Sequence, residues 1–265
     1  LDIHGCGMDL IFPQHENDIA QSEGATGQSF VNYWMHNNML TFGDRKMSKS
    51  LGNIVSCREF VEKYNGEIMK FMMLQGHYRS LLDFSDKQIG NAISGLARIY
   101  SALSLASEVL KSDVVALKPS LSFAKALGET EKAWVEALND DFNTPEAFAA
   151  IFNLVRNLNN SYRYGQKVTG EIKANAQAFV DWIVGKGQLM SLFQEPAAEF
   201  LQTVDDMLLE QMGLERSRVD ALVLARTEAR ANKDFARSDE LRAELTKLGI
   251  SVQDLVSGSR WEVQK

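Results

Sequence analysis

Between Asp44 and Asn53 the chain reads DRKMSKSLGN, setting Lys46 and Lys49 beside Ser48 and Ser50 and ending on Gly52-Asn53, with no acid after Asp44. Ammonium groups carry point charge, hydroxyls are short donors, and glycine lets backbone amides come close. Together they suit a phosphate-bearing ligand. A solvated turn ahead of a helix is the other reading, and a K-x-x-K spacing does not separate the two.

The elements that must hold this loop alternate between strand and helix signals as far as Phe42. LDIHG reads as a short strand broken by Gly5 and Gly7. Pro13 takes a first helical position, and the helix runs to Glu23 and stops at Gly24. MLTF, Met39 to Phe42, is a second strand feeding the loop. Strand, helix, strand, loop is an α/β arrangement, in which ligands collect beyond the carboxyl ends of strands.

After Asn53 the pattern is helical. Ser56 with Glu59 predicts a capping box, and Asn65-Gly66 ends one helix and opens another. Ile89, Ile93, Leu96, Ile99, Tyr100 and Leu103 predict a helix from Asp86 to Leu110. KSDVVALKPS, Lys111 to Ser120, is a linker. Thr144 or Asn143 caps a bundle helix with Pro145 at its first position and Phe148, Ile151, Phe152, Val155 and Leu158 on one face. Residues 213–249 read as helical, and Arg226, Arg230, Lys233, Arg237 and Arg242 among acids have the pattern of a solvated face. The tail around Trp261 predicts a small, turn-rich structure.

A chain of 265 residues is long enough for about two domains. Its 45% hydrophobic and 24% charged content is that of a globular protein. A net charge of −7 argues against general adhesion to nucleic acid or an anionic membrane, so any RNA contact must come from a local patch. Cys6 and Cys57 form no CxxC pair, which fits a reducing, cytoplasmic setting. No run of about 18 apolar residues and no secretory leader is read, so no membrane partner is expected. The chain opens at Leu1 directly into a strand and a glycine turn, predicting a further portion upstream.

With these segments in order, the chain resembles the C-terminal half or more of a cysteinyl-tRNA synthetase, a class I aminoacyl-tRNA synthetase. The likeness rests on KMSKS (Lys46 to Ser50), DIHGCGMDLIFPQHENDIAQSE, YWMHNN, GHYRS, DDFNTPEA and ARANKDFARSDELRAEL, and covers nearly the whole chain. It implies an α/β remnant of a class I Rossmann catalytic domain over residues 1–53, including the KMSKS loop. A helical stem-contact region follows at 54–112, a DALR-like helical bundle at 120–212 and a small anticodon-binding module at 213–265. It also implies ATP-dependent ligation of cysteine to tRNA(Cys) through a cysteinyl-adenylate, with Mg2+, by a cytoplasmic monomer. The fragment alone is expected to be inactive.

The resemblance gives roles to residues. Lys49, with Lys46, Ser48 and Ser50, would neutralise the leaving pyrophosphate, since nucleotidyl transfer needs positioning and charge more than covalent chemistry. Asp9 would accept from the ribose hydroxyls, Gly5 and Gly7 would let backbone approach the nucleoside, and His4 would line the same pocket. As a residue alone, Asp9 reads equally as a turn or helix cap. Zn2+ is implied as well, but the family's His and Glu positions are Gln14 and Asp18 here. Asp is a shorter carboxylate, and an amide is a poor zinc ligand. His15 and Asp18 could form a shifted pair, although His15 also matches the family's second His. Arg230, Asp239 and Asp254 fall at anticodon-reading positions. Phe235 reads as a stacking ring or as core, and Arg230 as a base contact.

Two alternatives remain at this level. One is the related ligase joining cysteine to an amino sugar in mycothiol synthesis, against which the module from Arg216 onward argues. The other is a non-catalytic tRNA-binding fragment.

Overall fold

The computed structural model of the chain describes residues 1–42, 45–46, 56–255 and 258–265. Lys49, Ser48 and Ser50 of the cationic loop lie outside the described residues, and Lys46 enters only through its backbone. Two compact units divide the chain: Leu1–Ala92 with Ala133–Ala149, and Ile93–Lys132 with Ala150–Lys265.

The first unit begins with β1 (Ile3–Gly7), a 3₁₀ turn (Met8–Leu10), a π turn (Ile11–His15) and α1 (Glu16–Thr26). It continues with β2 (Tyr33–Asn37), β3 (Leu40–Phe42), β4 (Arg45–Lys46), α2 (Cys57–Lys63), α3 (Gly66–Leu74) and β5 (Leu82–Asp83). β1 and β2 pair in parallel, while β3 lies between antiparallel β4 and parallel β5. The glycines do not break β1. Pairing runs from Ile3 opposite Tyr33 to Gly7 opposite Asn37, and the ladder offsets the roughly 0.5–1 kcal/mol that a glycine costs inside an element. α1 likewise passes through Gly24. It closes at Gly27, whose φ of +67° takes the left-handed conformation and whose N–H reaches Glu23 O at 2.8 Å. Pro13 lies in the π turn, not at the start of α1.

Local capping follows the sequence. Ser56 Oγ accepts from Glu59 N at 3.2 Å, and the Glu59 carboxylate accepts from Ser56 N at 2.8 Å, closing the capping box of α2. Asn65 Oδ1 caps α3 by accepting from Glu67 N at 2.6 Å. Phe60, Ile68, Phe71 and Met72 are buried beneath these helices. Phe60 meets Phe84 edge-on at 5.2 Å, and Phe71 meets Phe148 at 4.7 Å.

The remaining elements are α4 (Asp86–Leu110), α5 (Leu121–Asn139), α6 (Thr144–Ser161), α7 (Gly170–Met190), α8 (Ala197–Gln211), α9 (Arg216–Ala231), α10 (Phe235–Lys247), β6 (Ile250–Leu255) and β7 (Gly258–Val263). All six face residues expected on α4 are buried, as are Phe148, Ile151, Val155 and Leu158 on α6, each contributing about 1.5–3 kcal/mol of apolar burial. Asn143 is the cap, its Oδ1 accepting from Glu146 N at 3.2 Å. In the second unit Tyr100 stacks on Phe200 at 3.9 Å.

The tail is an antiparallel hairpin of β6 and β7, registered from Ile250 opposite Val263 to Leu255 opposite Gly258. Its inner face joins Leu209, Val219, Val223 and Leu245 in one cluster. Buried Asp205 ties the end of β7 to α8, accepting from Val263 N at 3.1 Å and from Lys265 Nζ at 2.8 Å.

Candidate functional site

Two polar groups stand out, one in each unit. In the first unit, side chains two apart on a strand share a face, and partners across a ladder share it too. His4 and Cys6 are two apart on β1, opposite Trp34 and His36 on β2, so one face carries four chemistry-bearing side chains. Trp34 stacks on His4 at 4.6 Å with an 18° tilt, and lies parallel to His36 at 5.7 Å. His15 arrives at this face from the end of the π turn, only 3% exposed. Its Nδ1 lies 3.0 Å from His36 Nε2, so one ring donates to the other, and its ring is 5.2 Å from that of His4.

Burial chiefly, then electrostatic interaction with His15, Arg79 and His4, lowers the pKa of His36 from its ordinary value. Nδ1 of His4 is buried with no hydrogen-bond partner. The ligand atoms of His4, Cys6 and His15 all lie within 4.8 Å of one another. Gln14 is exposed and Asp18 partly buried, and neither belongs to that group.

Asp9 lies in the 3₁₀ turn just beyond the carboxyl end of β1, exposed to solvent. A Cβ on Gly7 would sit 2.5 Å from Asp9 Oδ1, so glycine at that position lets the carboxylate fold back over the strand end. Gly5 has only Met35 O near it, at 3.9 Å. Further along this unit, Asp141 accepts from Arg79 Nε at 2.5 Å and from Tyr78 Oη at 2.6 Å. That joins GHYRS to DDFNTPEA, and chiefly the Arg79 hydrogen bond holds the Asp141 carboxyl below its usual range.

In the second unit the hairpin carries the other group. Arg226 points Nη1 and Nη2 at the two oxygens of Asp254, at 2.7 and 2.9 Å. Arg230 Nη1 donates to Oδ2 at 2.7 Å, and Ser259 Oγ to Oδ1 at 3.2 Å. The four acceptor positions of Asp254 are thereby filled. The Arg226 hydrogen bonds are the largest cause of its pKa being lowered to about 2. Arg226 is 1% exposed, which corrects the solvated-face expectation for it. Arg230 is about half exposed at the rim, Asp239 is exposed, and Phe235 is 65% exposed on the first turn of α10, so Phe235 is not a core residue. Sequence alone points to no site role for Cys6, Trp34, His36 or Arg226. The alternation of His4 and Cys6, and the place of Arg226 on the Val219–Val223 face, were the available signals.

The chain is similar to known proteins over three successive segments. Residues 1–94 match the tRNA synthetases class I (C) catalytic domain, residues 133–194 the DALR domain, and residues 216–261 the cysteinyl-tRNA ligase anticodon binding domain. Among solved structures, methionyl-tRNA synthetase of Mycobacterium tuberculosis in complex with methionyl-adenylate is similar over 82% of this chain and 45% of its own, with a TM-score of 0.52 and 19% identity. A LeuRS–tRNA–LeuAMS complex from Agrobacterium radiobacter is similar over 74% of this chain and 28% of its own, at 0.53 and 17%. The catalytic α/β segment, helical bundle and terminal module, in this order, define the fold of a class I aminoacyl-tRNA synthetase. Cysteine–tRNA ligase of Bdellovibrio bacteriovorus is 58% identical over all of this chain and 55% of its own length. That of Syntrophotalea carbinolica is 41% identical over 99% of this chain and 54% of its own. The chain belongs to the cysteinyl-tRNA synthetase family. It spans about half the length of the curated relatives it matches.

Proposed function

We propose that the chain forms part of an enzyme that activates cysteine with ATP and Mg2+ and transfers it to tRNA(Cys), acting in the cytoplasm as a monomer. The observation that carries this reading is the succession of catalytic, DALR and anticodon matches along one chain, with 58% identity to a cysteine–tRNA ligase. No helix among the described residues is long and apolar enough to cross a membrane.

In this reading residues 1–53 carry the nucleotide side, 54–112 the stem contact, 120–212 the bundle and 213–265 the anticodon reader. Asp9 receives the ribose hydroxyls at the end of β1, His4 lines the nucleoside pocket, and Gly5 and Gly7 keep the strand edge open. Lys49, with Lys46, Ser48 and Ser50, neutralises the pyrophosphate as the cysteine carboxylate attacks the α-phosphorus. A charge that arrives with ATP favours the transition state over the resting enzyme. Arg230, Asp239, Asp254 and Phe235 form the anticodon end, where Asp254 holds Arg230 and the exposed ring of Phe235 is free to stack on a base. An exposed amide at Gln14 beside Asp18 does not fit zinc, and no step is routed through those two positions.

The test is ATP–pyrophosphate exchange by the protein at the length of its relatives, with cysteine, serine, methionine or no amino acid. Exchange with cysteine and not with methionine is expected. Exchange driven by another amino acid, or by none, rejects the reading.

A further inference from the structure

The donor group on the β1–β2 face has more binding capacity than the fold uses. His15 spends Nδ1 on His36, leaving Nε2. His4 holds a buried Nδ1 with no partner, a state that costs about 1–3 kcal/mol in a folded protein. Cys6 adds a free thiol on the same face, with His36 directly across the ladder. Two imidazoles and a thiolate form the borderline-soft donor set that zinc and cobalt(II) prefer over magnesium or calcium.

Around a tetrahedral zinc with bonds of about 2.0–2.3 Å, ligand atoms stand about 3.4–3.6 Å apart. The three donors here already lie within 4.8 Å of one another, so side-chain rotation of about an ångström closes the site. The His15–His36 hydrogen bond is the outer contact that commonly fixes the tautomer of a ligating histidine.

We propose that His4, Cys6 and His15 bind one zinc-class divalent cation, with a fourth coordination position open, independently of Gln14 and Asp18. Binding converts the Cys6 thiol to a thiolate: the sulfur–hydrogen bond breaks, a sulfur–metal bond forms, and one proton passes to the buffer. His4 and His15 ligate as neutral imidazoles. His36 acts as a positioning residue through His15.

Cobalt(II) titration of the purified chain tests this without ATP or tRNA, so its outcome is separate from that of the ligase reading. One equivalent is expected to bind with a thiolate-to-cobalt charge-transfer band and release of one proton. The band should vanish in Cys6→Ser and persist in Cys57→Ser and in Gln14→Ala/Asp18→Asn. His36→Ala should keep the band while weakening affinity roughly 10–100-fold. As a check that needs no variant, zinc should protect Cys6 from alkylation while Cys57, which is exposed, still reacts. Absence of the band in the unaltered chain overturns the proposal, as does its persistence in Cys6→Ser or equal alkylation of both thiols with zinc present.

Discussion

The histidine group on the β1–β2 face and the arginine–aspartate group on the hairpin are both built from partly buried polar side chains, yet they balance their valences in opposite ways. On the first face donors exceed partners: His4 Nδ1 has none, and Cys6 is free. At the hairpin it is the acceptor that is filled: a single carboxylate collects four hydrogen bonds from three side chains, while Arg226 Nε is left without a partner. Unfilled capacity is what a ligand can use, whereas filled capacity holds a backbone in place and orients whichever group remains at the rim. The difference assigns Cys6, His4 and His15 to ligand chemistry, Asp254 and Arg226 to architecture, and Arg230 to the boundary between them.

The largest effect that would break this contrast is expected at Asp254. Asp254→Ala leaves the Arg226 guanidinium buried without its counter-charge, and the hairpin should lose about 3 kcal/mol, the low end for stranding a buried charge because the carboxylate itself is about one-third exposed. Hydrogen exchange of the β6 and β7 amides reads this locally. A loss below about 0.5 kcal/mol would show that the pair is not structural. The same linkage has a pH signature. The folded-state pKa of about 2 lies below the ordinary 3.8, so the contribution is fully present above about pH 4 and disappears as pH falls through 2.

Arg230 sharpens the comparison at its boundary. It shares Asp254 with Arg226 but is about half exposed, so its removal leaves no buried charge alone. On the ligase reading proposed above, and in the protein at the length of its relatives, Arg230→Ala is expected to lower kcat/KM for the cognate tRNA roughly ten- to a hundred-fold, about 1.4–2.7 kcal/mol, with pyrophosphate exchange unchanged. Equal losses on cognate and anticodon-swapped tRNAs would mark a phosphate contact instead. A matching loss of hairpin protection would move Arg230 into the architectural class.

How far these groups could be read from sequence depends on whether their residues are local. The Ser56–Glu59 box and the faces of α4 and α6 involve residues three or four apart, and both appear where their spacing places them. Gly5 and Gly7 suggest a break in β1, and only the pairing with β2 shows that the strand continues. A helix rich in both charge signs looks alike on all sides, so Arg226 reads as solvent-facing there. Its three-residue offset from buried Val223 carried the contrary signal. The meeting of His4 and Cys6 with His15 and His36 is tertiary, spanning residues 4 to 36, and no periodicity contains it.

The smallest expected effect lies at His4 and separates an idle polar group from a ligand. His4→Phe keeps an aromatic ring against Trp34 while removing the buried nitrogen that lacks a partner. Replacing an unsatisfied polar group by an apolar one of similar shape is neutral to stabilising, so the metal-free chain should gain up to about 1 kcal/mol in urea unfolding followed by tryptophan fluorescence. The same variant should lose the added stability that zinc confers on the unaltered chain, because one of three ligands is gone. A metal-free chain destabilised by more than about 1 kcal/mol would mean that His4 Nδ1 already has a partner within the fold. The donor surplus on this face, and with it the contrast to Asp254, would then disappear.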